Sequence, residues 1–93
     1  MSMDSDVKAV TITATGAAVS RRARVRGIFY HNDGGTGTLT LKDGSDTTVD
    51  ITLTLNANSD GYILLPGRGV LFETSVNCTA FTNLTSVTLF YEG

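Results

Sequence analysis

Residues 48–55, with the sequence TVDITLTL, alternate between large apolar and small polar side chains, and this period of two constrains the fold most. Successive side chains of a β-strand point to opposite faces, so the pattern predicts a strand with one buried face. An amphipathic helix would instead need apolar residues at i, i+3, i+4 and i+7. No stretch of the chain has that spacing, and we therefore expect a protein built from strands.

Similar alternation, or a short apolar run, recurs between turn-forming residues. Eight candidate strands lie at residues 7–14, 23–31, 38–42, 48–55, 62–65, 70–73, 76–80 and 87–92. Threonine supplies much of the polar faces, and charged residues make up 17% of the chain, below the roughly 25% of an average domain. These features predict one all-β domain over residues 7–93, a single antiparallel β-sandwich or small jelly-roll-like fold, after a disordered tail of residues 1–6.

In each predicted strand the apolar residues occupy every second position, and this also predicts which side chains point into the core. The expected core residues are Val25, Phe29, Leu39, Leu41, Val49, Ile51, Leu53, Val76, Cys78, Val87 and Leu89. In a chain of 93 residues they form one thin core, without volume for a large internal cavity.

Residues able to act as nucleophile or base are few. His31 is the only histidine and Cys78 the only cysteine. Cys78 lies on the apolar parity of its strand, which favours a buried structural thiol over a nucleophile. His31 ends a strand beside a turn, where we expect it to face solvent. We therefore predict no catalytic residue and no enzymatic activity.

Metal and cofactor sites have equally little support. Asp43, Asp46 and Asp50 lack the spacing and closing glutamate of a calcium-binding loop, and zinc ligands are too few. Residues 33–38, DGGTGT, have the glycines of a phosphate loop but not its Gly-Lys-Ser/Thr ending, and a strand follows where a helix is needed. We expect a glycine-rich turn there, and neither a metal nor a cofactor.

Charge and termini restrict the partners and the compartment. A net charge of −2 gives no general reason to expect nucleic acid or an anionic membrane as a partner. The acidic start of the chain lacks the basic and apolar regions of a signal peptide. A single cysteine excludes an intrachain disulfide, which fits synthesis in a reducing cytosol.

One local concentration of charge stands out at residues 21–26, RRARVR, which hold four of the seven basic residues. Alternation predicts that Arg22, Arg24 and Arg26 share one face, with Ala23 and Val25 on the core face. Such a row can bind carboxylates of another subunit, or it can protect an edge strand from unwanted pairing. We leave these two readings open and rank nucleic-acid binding third, because no aromatic stacking platform is evident.

Four segments carry a family resemblance: residues 7–14 (VKAVTITA), 23–30 (ARVRGIFY), 65–72 (LPGRGVLF) and 84–91 (LTSVTLFY). Their succession resembles small β-sandwich virion structural proteins of tailed bacteriophages, those of marine phages in particular. The resemblance covers most of the chain after residue 6 but includes no diagnostic motif. It implies a virion protein present in many copies, made in the host bacterial cytoplasm and placed on the capsid, neck or tail.

From the residues and this resemblance we expect a non-enzymatic capsid decoration or cement protein. It would form a homo-oligomer, a trimer being one form, and contact a capsid or other virion protein. The predicted interface consists of Arg22, Arg24 and Arg26 together with Phe81 and Phe90, two apolar residues expected opposite the core face. The alternative is a small carbohydrate- or receptor-binding module of a tail or fibre.

Overall fold

The computed structural model describes residues 7–44, 46–67 and 69–93, with the backbone alone at residues 46–50. The predicted tail of residues 1–6 lies outside the described residues. Within them the chain forms nine strands. They are β1 (Lys8–Ile12), β2 (Gly16–Val19), β3 (Ala23–Asn32), β4 (Gly37–Asp43), β5 (Asp46–Leu55), β6 (Ser59–Leu64), β7 (Val70–Phe72), β8 (Val76–Thr82) and β9 (Ser86–Glu92).

Two antiparallel sheets pack against each other, as the predicted β-sandwich requires. The larger sheet has the order β1-β9-β3-β6, with β7 also paired to β3, and the smaller has the order β2-β8-β4-β5. When β7 is set aside, the pairs β4–β5, β3–β6, β2–β8 and β1–β9 are nested, from the central hairpin outward to the first and last strands. This is the arrangement of a long hairpin wrapped into two sheets, the jelly roll.

The core lies between the two sheets and follows the predicted alternation over most of its length. Of the predicted core residues, seven are fully or almost fully buried: Val25, Leu39, Leu41, Val76, Cys78, Val87 and Leu89. Ile51 and Leu53 pack against this core but stay half-buried. The side chain of Val49 lies outside the described residues.

A bulge in β3 overturns the prediction that Phe29 is in the core. In the pairing of β3 with β9, Val25 lies opposite Tyr91 and Gly27 lies opposite Phe90, so residue 26 is extra. An extra residue reverses the parity of everything after it. Ile28 is therefore fully buried, whereas the side chain of Phe29 is 41% exposed on the outer face.

A second bulge, in β8, overturns the placement of Phe81. Thr40 pairs with Ala80 and Leu41 pairs with Cys78, which leaves Thr79 as the extra residue. Phe81 therefore lies opposite Leu39 and packs against the core instead of facing away from it. Ala80, expected from its parity with Val76 and Cys78 to face the core, lies on the opposite parity for the same reason.

Strand β2 has no counterpart among the predicted strands. Its sequence GAAV has small side chains and no alternation, so the pattern gives no signal. Pairing with β8 decides its conformation, and Gly16 enters the strand at a φ of 136°, which glycine adopts without strain.

Candidate docking face of the five-stranded sheet

The outer face of the larger sheet carries a group of large apolar side chains. Phe29 of β3 pairs with Tyr62 of β6, and Gly27 pairs with both Leu64 of β6 and Phe90 of β9. Phe29, Tyr62 and Leu64 are 41%, 54% and 71% exposed, and Phe90 is half-buried among them. We call these four side chains the aromatic face.

Glycine at position 27 makes room for the centre of the aromatic face. The phenol ring of Tyr62 lies over Gly27, where a Cβ atom would overlap it. The same ring meets Phe90 edge to face, with 5.9 Å between ring centroids and 70° between ring planes, a favourable aromatic geometry. An aromatic ring that covers a strand glycine restores the packing that the missing side chain would have supplied. Gly27 and Phe90, on two neighbouring strands, thus hold the Tyr62 ring in place.

The bulge at residue 26 breaks the regular row that was predicted for Arg22, Arg24 and Arg26. Arg22 precedes β3 and is exposed, Arg24 lies opposite Glu92 in register, and Arg26 is the bulged residue. Arg26 forms a partly buried ion pair with Glu92 of its own chain. Ala23 and Val25 are buried, as predicted. Part of the charge in this segment is therefore neutralised within the subunit.

His31 continues the face toward the end of the sandwich, between two carboxylates. Its Nδ1 faces Oδ1 of Asp60, and its Nε2 lies 3.1 Å from Oδ2 of Asp33. The hydrogen bond to Asp60 is the main cause that raises the pKa of His31, and the charges of both carboxylates act in the same direction. Each ring nitrogen of His31 thus faces a carboxylate. This arrangement favours the protonated imidazolium, which links β3 to β6, over a neutral imidazole that could act as a base on a hydroxyl group.

Asn32 fixes the loops next to His31, a role that the sequence pattern did not reveal. Its buried amide nitrogen donates to the carbonyls of Gly35 at 2.8 Å and Asn56 at 2.9 Å, while its oxygen accepts from the backbone N–H of Gly34 at 2.8 Å. The side chain thereby organises the glycine-rich turn predicted at residues 33–38. An asparagine directly before such a turn is the signal that could have identified it.

Asp43, considered above as a calcium ligand, is a structural carboxylate. It is buried, and its oxygens accept from the backbone N–H groups of Glu73 and Thr74 at 2.8 Å and of Ser75 at 3.3 Å. The hydrogen bonds from Thr74 and Glu73 are the main causes that lower the pKa of the Asp43 carboxyl, and the bond from Ser75 acts in the same direction. The side chains of Asp46 and Asp50 lie outside the described residues.

Cys78 is buried in the smaller sheet, and its Sγ donates to the carbonyl of Ala80 at 3.3 Å. Burial raises the pKa of the thiol, which disfavours the nucleophilic thiolate. Across the described part of the chain, no group of three or more His, Cys, Asp or Glu side chains is arranged to hold a metal ion.

No protein-family model, no curated protein and no solved structure matches this chain. Among residues 7–44, 46–67 and 69–93 there is no helix long and apolar enough to cross a membrane.

Proposed function

We propose that this protein is a non-enzymatic structural subunit of a tailed-phage virion, a capsid decoration or cement protein that docks through its aromatic face. The single structural observation that supports this is the exposure of Phe29, Tyr62 and Leu64 together on one sheet face. Grouped exposed apolar side chains mark interaction sites, and aromatic residues are enriched at protein interfaces. A flat apolar face suits a complementary protein surface better than it suits a small polar substrate.

The fold is compatible with this proposal without deciding it. Jelly rolls occur in viral capsid proteins and in lectins, so architecture alone leaves the function open. The family resemblance favours the virion, and attachment to a particle would favour the folded state of a small domain by mass action. Arg22 and Arg24 stay predicted contacts to acidic groups of the partner.

The proposal is tested by sedimentation of the protein with phage capsids that lack it. Leu64→Glu places a charge at the most exposed apolar position of the face, while Thr79→Glu places the same charge on the smaller sheet, at an exposed position. We expect Leu64→Glu to weaken binding more than roughly tenfold, because burial of a leucine contributes about 1.5–3 kcal/mol. Thr79→Glu should bind like the wild type.

Equal binding of the two variants would exclude the aromatic face as the docking surface. Failure of the wild type to bind any part of the phage particle would exclude the virion function itself. Both variants carry their substitution on the surface, so unchanged circular dichroism spectra serve as the folding control.

A carbohydrate-binding role is the second candidate, and one observation favours it. The exposed ring of Tyr62 lies on the same strand as Asp60, two residues away, and Asp60 contacts His31. An aromatic face can cover the apolar side of a sugar ring while carboxylate and imidazole groups bind its hydroxyls. A glycan array with the wild type and Asp60→Asn tests it: binding that depends on Asp60 supports this role, and an array without signal removes it.

A further inference from the structure

The two sheets have unequal edges, and β5 is by far the longest. The other edge strands are β1 with five residues, β2 with four, and β6 with six, and the three-residue β7 continues the β6 edge after a break in the strand. Strand β5 has ten residues and pairs with β4 on one side. Its other side therefore presents a long row of backbone N–H and C=O groups at the end of the smaller sheet.

The part of β5 from Ile51 to Leu55 carries no feature that protects this edge. Natural edge strands are kept from pairing by lysine, proline, bulges or short length. The sequence DTTVDITLTL contains no lysine, arginine, proline or glycine, and its two charged residues, Asp46 and Asp50, both precede Ile51. Its register with β4 is regular except near Lys42 and Asp43, so the segment from Ile51 to Leu55 is uninterrupted.

The core next to this edge is incompletely covered. Leu39 and Leu41 of β4 are fully buried, yet their register partners Leu53 and Ile51 are only half-buried although they pack against the same core. These two side chains lie in the outermost strand of the sheet, and none of the nine described strands lies beyond it. A strand added beyond β5 would cover them as β5 covers β4.

We propose that β5 pairs antiparallel with β5 of a second copy, about a twofold axis at Thr52, to form one continuous eight-stranded sheet. In this register Ile51 lies opposite Leu53 of the partner subunit, and the two Thr52 residues face each other. Position 50 lies opposite 54, and position 46 opposite 58, so neither aspartate meets another carboxylate. The strand is thus complementary to itself, which favours a second copy over an unrelated chain.

This dimer goes beyond the proposed function and does not depend on it. Strand β5 belongs to the smaller sheet, whereas the aromatic face belongs to the larger one. Two copies can therefore join through β5 while both aromatic faces stay available.

Sedimentation equilibrium of the purified wild type over a concentration series tests the stoichiometry. We expect a monomer–dimer equilibrium, with slower amide hydrogen exchange in residues 51–55 at concentrations where the dimer forms. A monomer at every concentration, a trimer, or unchanged exchange in these residues would overturn the proposal. These measurements need no variant and so do not depend on how a substitution folds.

Disulfide trapping tests the register in a Cys78→Ala background, which leaves one thiol for each engineered site. Thr52→Cys should form a covalent dimer on mild oxidation, because directly opposite Cα atoms are roughly 4.5–5.5 Å apart, within disulfide range. Thr54→Cys is the matched control: its copy lies four positions away along the strand, about 13 Å. Both threonines are exposed. Equal trapping of the two variants, or none with Thr52→Cys, would overturn the register.

Discussion

The ring of Tyr62 in β6 lies over Gly27 of β3, so that a Cβ atom at residue 27 would stand only 2.7 Å from Cζ of the ring. On the opposite face of the same two strands, Tyr30 covers Gly61 in the same way, with Cζ 2.8 Å from the added Cβ. Each strand of this pair thus contributes one glycine and one tyrosine, and each tyrosine covers the glycine of the other strand. In both pairs the ring occupies the space that a side chain on the glycine would fill.

The first prediction follows from this packing. Gly27→Ala should lower the free energy of unfolding by roughly 1–3 kcal/mol, because the added methyl group displaces the Tyr62 ring from its position. In a Tyr62→Ala background the same substitution should cost less, since the ring is gone. Chemical denaturation of the four proteins measures this coupling. Gly35→Ala is the control, because a Cβ there meets only Asn83 Nδ2 at 3.5 Å; additive effects of Gly27→Ala and Tyr62→Ala would contradict the contact.

The second prediction concerns the bulge at residue 26. Ile28→Ala should destabilise the protein by about 2–5 kcal/mol, as expected for a fully buried side chain, and the adjacent Phe29→Ala should cost clearly less. Urea unfolding of both variants makes the comparison. A larger loss for Phe29→Ala would mean that the strand continues without the bulge, as the alternation alone predicts.

The third prediction concerns acid unfolding and Asp43. Its pKa is lowered in the folded state from the ordinary value of 3.8, so the stability from its three hydrogen bonds is fully present above that value. It is lost as the pH falls through the folded-state pKa. Asp43→Asn should destabilise the protein at neutral pH and flatten the decline in stability at low pH. Equal pH slopes for wild type and Asp43→Asn in urea titrations would refute this role.

The fourth prediction uses the only histidine of the chain as its own probe. The pKa of His31 should lie above 6.5, and Asp60→Asn should lower it more than Asp33→Asn, because the Asp60 hydrogen bond is the largest cause. The stability from this raised pKa is present below pH 6.5 and is lost as the pH rises through the folded-state value. Proton NMR of the single imidazole follows the titration directly. A pKa at or below 6.5 would show that the two carboxylates do not hold the ring in solution.

The sequence by itself determined the fold class and most of the core. Alternation identified Leu39, Leu41, Val87 and Leu89 as buried, because period two is a property of each strand alone and needs no knowledge of its partner. The hairpin of β4 and β5 was predictable for the same reason, from two alternating segments joined by turn residues.

The tertiary structure alone decided the outer faces. Phe29 and Phe81 exchanged their expected environments because a bulge is defined by two residues of one strand opposing one residue of another, a relation that no single segment contains. Strand β2 exists because β8 lies beside it, and Gly27 matters because Tyr62 reaches across from β6. Local patterns fix which residues can be buried together, whereas the pairing of distant strands fixes which side of the sheet each residue occupies.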